Sequence, residues 1–380
     1  MKRSTQRILT THTGSFPRPD ELLSLLTARE TGTPYEPAAL EAAVGTAVHT
    51  VVRQQLDAGI DVVNDGEMSR FGFATYLLDR VTGFEGEGRF PAFADLQDYP
   101  EFAQRQRGDG TRVLRTPVCT GPITAKDPEA VHRDIATFTA ALQGVQPEDT
   151  FLTAASPGVI AGLLQNQYYP SYEAYLYALA EAMKPEYSAI TQAGFLLQVD
   201  CPDLAGMRHQ RFATVSLEEF RRIIALHVEV LNAALADIAP DRIRLHVCWG
   251  NYEGPHHRDV PLKDILDIVL HARPTGLSVE AANPRHGREW KMFQESPLPE
   301  GKVLLPGVID STTNFIEHPE LVAERIVRFA SLVGRENVIA GTDCGFKSNA
   351  DRPPRVDTRI VWAKLQSLAE GARIASQQLW

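Results

Sequence analysis

Cysteine is scarce in this chain: four in 380 residues, at Cys119, Cys201, Cys248 and Cys344. So sparse a set excludes a disulfide framework and points to reduced thiols, as in the cytoplasm. Long apolar runs are missing too. None nears the roughly eighteen residues that a membrane-spanning helix needs, so no membrane association is expected. The basic start, "MKRSTQRILTTHTGSFPRP", is followed by too few apolar residues for a secretory segment. Positive charge is in deficit, with 38 Lys and Arg against 48 Asp and Glu and a formal net charge of −10. That balance argues against a nucleic-acid partner. No glycine-rich phosphate loop occurs, so nucleotide chemistry has no support. Repeats, low-complexity tracts and Gly/Ser linkers are also absent, and residues 1–380 read as a single domain.

What is present is alternation. Short apolar runs suited to strands occur at 8–16, 60–67, 113–123, 150–158, 195–202, 243–251, 276–283, 302–310 and 337–345. Helical patterns lie between most of them, at 37–58, 129–143, 173–192, 217–237 and 319–333. This order predicts an α/β fold, a (β/α)8 TIM barrel. Nine strand candidates are one too many. Residues 71–125, rich in Phe, Gly, Pro and charge, are far longer than a usual βα connection. They read as an excursion inserted after the second strand, and 113–123 as its added strand, forming a hairpin or lid over one end of the barrel.

Barrel enzymes build their sites at the C-terminal ends of the strands. Polar residues cluster at those ends here: Ser15, Glu67, Asp200, His246, Cys248, Glu280, Asp310 and Cys344. His246 and Cys248, in "RLHVCWGNYEG", are two apart and share one face of a strand. Glu280 ends the sixth barrel strand and Cys344 the eighth. An imidazole, a carboxylate and two thiolates make a tetrahedral donor set that suits Zn2+. A cation stabilises a bound thiolate, the nucleophilic form of a thiol, so the expected chemistry is alkyl transfer to sulfur. His286, close after Glu280, is a candidate proton donor. His256 and His257, in the polar loop "GPHHRD", are weighed as added metal ligands and as solvent-exposed or general-acid residues, and Tyr168, Tyr169 and Trp249 as pocket walls.

"HTGSFPRP", "NDGEMSR", "LLQVDCPDL", "HVC", "VEAANPR", "PGVID" and "GTDCGFK" together resemble the catalytic barrel of cobalamin-independent methionine synthase, in that family's order and over nearly the whole chain. The resemblance implies zinc on His246, Cys248, Glu280 and Cys344. It also implies homocysteine held by Ser15, Glu67 and Asp200, with carboxylates facing the α-ammonium. The methyl donor would be 5-methyltetrahydrofolate or another carrier. Three departures stand out. The long members carry a second half that helps to hold the folate, and this chain has only the catalytic one. Where the family has a His after the seventh strand, "PGVIDSTTN" puts Thr312, a poor acid near neutral pH. Cys201 stands where the family has an acidic residue.

"HVCWGNYEGPH" also resembles short single-barrel epoxyalkane:coenzyme M transferases, which open an epoxide with a zinc-bound thiolate. Arg18, Arg70 and Arg285 are then candidate cations for the sulfonate. The partners are therefore a small-molecule thiol and an alkyl donor, with folate, corrinoid protein and epoxide left open. A zinc-stabilised binding protein without catalysis is the reading from another class, and a zinc-free decarboxylase barrel a further enzymatic one. A homo-oligomer is compatible with all of these.

Overall fold

A run such as "VLLPGVI" is apolar throughout, which suits a strand buried on both faces. The computed structural model describes residues 1–89, 92–107, 116–350 and 354–380. Among these residues ten strands form: β1 (Leu9–Thr10), β2 (Val62–Val63), β3 (Phe84–Glu85), β4 (Val118–Cys119), β5 (Asp149–Ala155), β6 (Leu196–Asp200), β7 (Ile243–Val247), β8 (Gly276–Val279), β9 (Val303–Ile309) and β10 (Ile339–Thr342). Eight of them make one sheet in the order β1-β10-β9-β8-β7-β6-β5-β2, with every pairing parallel. Its two edges meet. Asp61 N–H donates to the Thr10 carbonyl at 3.2 Å and Thr11 Oγ1 to the Val62 carbonyl at 3.3 Å. The sheet thus curls into the expected α/β barrel.

The expected helices form at Pro37–Asp57, Ala130–Ala141, Tyr172–Gln192, Leu217–Ala234 and Pro319–Val333. Their starts follow from local chemistry. Ser171 and Ser216 accept hydrogen bonds from Ala174 and Glu219 N–H as N-caps, and Pro319 takes a first-turn position. In Leu217–Ala234 the buried Phe220, Ile224, His227, Val228 and Leu231 recur at helical spacing and form one inward stripe. No helix among the described residues is long and apolar enough to cross a membrane.

Two differences bear on the site. β1 and β2 are only two residues long, against expected runs of 8–16 and 60–67. The chain leaves the sheet early because Gly14 (φ 143°) and Gly66 (φ 69°) turn it into loops, and those loops carry Ser15 and Glu67. The excursion contains β3 and β4, paired antiparallel with Phe84 opposite Cys119. It also holds the helices Ala94–Gln97 and Pro100–Arg107. Residues 113–115 of the expected added strand lie outside the described residues.

Candidate active site

Parallel register places the strand ends level, with Asp200 opposite His246 and His246 opposite Ser278. Beyond them the loops surround a cavity of about 1000 Å3. His246 points into it from β7, Cys248 from just past β7, and Cys344 from just past β10. The two sulfurs are 3.6 Å apart, and the ligating atoms of the three residues lie within 4.8 Å of one another. His246 is buried, and neither ring nitrogen has a hydrogen-bond partner among the described residues. Such a group is costly to bury unless something binds it. Burial, helped by the Arg244 charge, lowers the His246 pKa to about 3, so the ring is neutral and its lone pair free. The hydrogen bond to Cys344, with burial, holds the Cys248 thiol well above its ordinary pKa. Only a cation that displaces its proton makes it a thiolate.

Glu280 stands beside this trio rather than within it. Its Oε1 accepts from Trp249 N–H at 2.9 Å and its Oε2 from Asn283 Nδ2 at 2.8 Å, while the carboxylate also reaches the Cys248 thiol. Asp343 fixes this loop by accepting from the N–H groups of Ala281, Ala282 and Asn283, each at 2.8 Å. Glu280 faces a smaller pocket of about 240 Å3 that shares Cys344 with the main cavity. One imidazole and two sulfurs with a carboxylate adjacent are a donor set that fits a borderline-soft ion such as zinc.

Across the cavity stand Ser15, Glu67 and Asp200. Glu67 adopts a left-handed backbone (φ 57°), uncommon for a residue with a Cβ. It is held there by Asp65 Oδ1, which accepts its N–H at 3.0 Å, and by Arg18 Nη2, which donates to its carbonyl at 2.8 Å. Glu67 Oε1 accepts from Thr153 Oγ1 at 3.0 Å, and Thr153 is itself clamped by Arg70. Glu67 Oε2 is buried with no hydrogen-bond partner among the described residues, 4.0 Å from Arg18 Nη2. Asp200 accepts from Gln198 Nε2 at 2.7 Å, and burial together with the Glu67 charge pushes its carboxyl well above the usual range. Two carboxylates crowded in one buried wall suit a cationic ligand. Close packing fixes Ser15: a Cβ on Gly345 would fall 2.1 Å from its Oγ.

The remaining wall comes from the excursion. Phe73, Phe93, Leu96 and Ala103 face the cavity together with Tyr252. Asp95 ties this strap to the loop after β7 by accepting from Tyr252 Oη, and from His256 N–H at 3.0 Å. Asp98 adds His257 Nε2 at 2.8 Å and Arg258 Nη2 at 2.7 Å.

Several candidates fall outside the main cavity. His286 is buried against Asp259, and its ring lies tilted against Trp249 with centroids 4.2 Å apart. Thr312 lines the smaller pocket and donates to Asp310 Oδ1 at 2.8 Å. Arg18 donates to the backbone carbonyls of Phe16, Lys347, Glu67 and Arg70. Arg70 is committed to Thr153, and Arg285 is an exposed residue at the smaller pocket. Trp249 is fully buried, with Nε1 on the Val260 carbonyl at 2.6 Å. Tyr168, Tyr169 and Cys201 do not line the cavity either.

Sequence reading missed Arg244 and Gln198. Arg244 lies buried inside the barrel, donating to Gln198 Oε1 at 2.8 Å, Thr11 Oγ1 at 2.9 Å and the His12 carbonyl. Gln198 relays this anchoring to Asp200. The signal was there: Arg244 is two residues before His246 and so points the same way.

Residues 8–359 match the family described as the catalytic domain of cobalamin-independent synthase. The methionine synthase of Saccharolobus solfataricus is 25% identical over 379 residues, covering 97% of this chain and 95% of that protein. That of Thermococcus kodakarensis is 24% identical over 367 residues, with 96% and 93% covered. A solved B12-independent methionine synthase from Shewanella sp. W3-18-1, in complex with selenomethionine, is similar with a TM-score of 0.72 at 20% identity, covering 98% of this chain and 99% of that one. A putative counterpart from Listeria monocytogenes reaches 0.65 at 18% identity with the same coverage. At such identities these two structures speak to the fold alone.

Proposed function

The chain belongs to the cobalamin-independent synthase catalytic-domain family, and from that premise we propose a zinc-dependent alkyltransferase that moves a methyl group onto the thiol of homocysteine. One observation carries this reading. A buried imidazole whose two nitrogens have no partner among the described residues and a pair of thiols share a cavity with two crowded carboxylates. His246, Cys248 and Cys344 hold the metal, and Glu280, at the margin of the trio, is assigned as the fourth ligand. Zinc bound there supplies the cation that keeps an incoming thiol ionised at neutral pH.

Glu67 Oε2 and Asp200 accept the α-ammonium of the amino acid, and Ser15 positions it from the facing loop. Phe93, Leu96 and Tyr252 exclude water from the reacting sulfur. An amino-acid thiol is favoured over coenzyme M because Arg18 and Arg70, the cations weighed for a sulfonate, are consumed by backbone carbonyls and Thr153. Bond-making roles are not assigned to His286 or Thr312, since Asp259 and Asp310 engage them elsewhere. The chain works as one catalytic barrel with the described part of the 71–125 excursion along its cavity, in the cytoplasm, where its four free cysteines stay reduced.

The test is a panel of homocysteine, coenzyme M and glutathione against methyl-folate, methylcobalamin and epoxypropane, using untagged zinc-loaded protein and reading products by mass. Methylated homocysteine, lost in Cys248→Ser, is the expected result. A product only from coenzyme M and epoxypropane would favour the epoxide-opening relatives. No product from any pair, or an unimpaired Cys248→Ser, overturns the reading.

A further inference from the structure

A second set of metal-ligating side chains converges away from the sulfur site. His209 lies after β6, His256 and Asp259 after β7, and His286 after β8. Asp259 Oδ2 is 2.9 Å from His256 Nδ1 and 2.8 Å from His286 Nε2. Asp259 Oδ1 is 3.0 Å from His209 Nδ1. The side chains of His209, Asp259 and His286 are 0%, 1% and 2% exposed. His209 Nδ1 and Asp259 Oδ1 have no hydrogen-bond partner among the described residues, although they lie so close together.

One ring, that of His256, faces more acceptors than a neutral imidazole can serve. His256 presents Nδ1 to Asp259 and Nε2 to the Tyr252 carbonyl at 3.0 Å. His286 presents Nε2 to Asp259, while its Nδ1, 3.5 Å from Glu289 Oε1, has no hydrogen-bond partner among the described residues. A neutral ring carries one N–H, so in either tautomer of His256 a lone pair is aimed at an oxygen. A cation lodged against Asp259 removes the conflict. The far nitrogen of His256 then donates to the Tyr252 carbonyl, that of His286 carries its N–H on the side of Glu289, and the near lone pairs ligate. A histidine whose second nitrogen is held by a carbonyl or carboxylate is the usual setting of a metal-bound imidazole. Doubly protonated rings would serve the same oxygens without an ion, and experiment separates the two.

We propose that His209, His256, His286 and Asp259 form a second metal site that takes a divalent transition-metal ion, zinc foremost. The ligating atoms of His256, Asp259 and His286 already lie within 4.8 Å of one another. Three nitrogens and one oxygen match the borderline preference of such ions. No position is left for substrate, so the ion is structural. It fastens three successive loops and, through Asp95 on Tyr252 and His256, the strap over the cavity. This site stands whether or not the thiol-alkylation reading holds.

Untagged full-length protein, stripped by chelator, reloaded with Zn2+ and desalted, is expected to retain two ions per chain by elemental analysis. Cys248→Ser/Cys344→Ser is expected to retain one and, loaded with Co2+, to show d–d bands without a thiolate charge-transfer band. His256→Gln in the otherwise native chain is expected to drop from two ions to one while keeping the thiolate band, which certifies an intact fold. A single ion in the native protein overturns the proposal, and so does an undiminished two in His256→Gln.

Discussion

His246 is where the account is most exposed at the scale of single residues. Both its nitrogens are buried without a partner among the described residues, and a bound metal would supply one. His246→Gln is therefore expected to lower zinc affinity by more than about 100-fold, beyond the usual loss when an outer partner is removed. Competition with a chromophoric chelator measures this; unchanged affinity would remove His246 from the ligand set. Glu67→Gln tests the opposite wall. Removing one partner of a buried charge pair costs about 2–5 kcal/mol, so KM for homocysteine is expected to rise at least about 30-fold. A thiol acid lacking the amino group should be nearly indifferent to the change. Asp65, which holds the Glu67 N–H, gives a pH signature. Burial, only partly offset by Arg70, raises its pKa from 3.8 to about 6. The folded state then binds the proton more tightly, so its contribution to stability is full below pH 3.8 and is lost as pH rises through 6. The loss is roughly 3 kcal/mol. Urea unfolding of Asp65→Asn between pH 4 and 7 is expected to show that much less decline than the native chain; matching slopes would refute it. At this scale the strand parity of His246 and Cys248 was legible in the sequence, and Arg244 was readable by the same rule. The engagement of His286 by Asp259 was not, because it depends on two loops meeting in space.

Among the elements, the five expected helices were read to within a few residues, since amphipathic periodicity and serine caps are local signals, while the helices Asp20–Thr31 and Thr358–Leu379 were not read. Strands were read as present but too long at β1 and β2. Glycine turns there end the ladder early, and the apolar run alone does not show it. The strap is the element on which access to the cavity depends. Asp95 is fully buried and takes both Tyr252 Oη and His256 N–H. Asp95→Ala removes this acceptor at a local cost of about 1–3 kcal/mol. Amide exchange in 94–99 is expected to speed up while the barrel strands hold their protection. Equal acceleration throughout would mean that Asp95 serves the whole fold rather than the strap.

For the whole molecule, the sequence distances between His246, Glu280 and Cys344 carry no short motif. Only a closed ring of parallel strands brings them together, so recognising the barrel and recognising the site were one inference. What composition and order left open is depth. The main cavity gathers Ser15, Glu67, Asp200, His246, Cys248 and Cys344, whereas Glu280 and Thr312 fall into the smaller pocket. That division arises from loop paths after β8 and β9, pinned by Asp343 and Asp310. The central claim is that a substrate thiol joins the metal at the His246–Cys248–Cys344 site, whatever the alkyl donor. Titrating homocysteine into the cobalt-substituted His256→Gln protein tests it without a donor. The thiolate-to-cobalt band should intensify and saturate at one thiol per chain; a spectrum that homocysteine leaves unmoved would contradict the account.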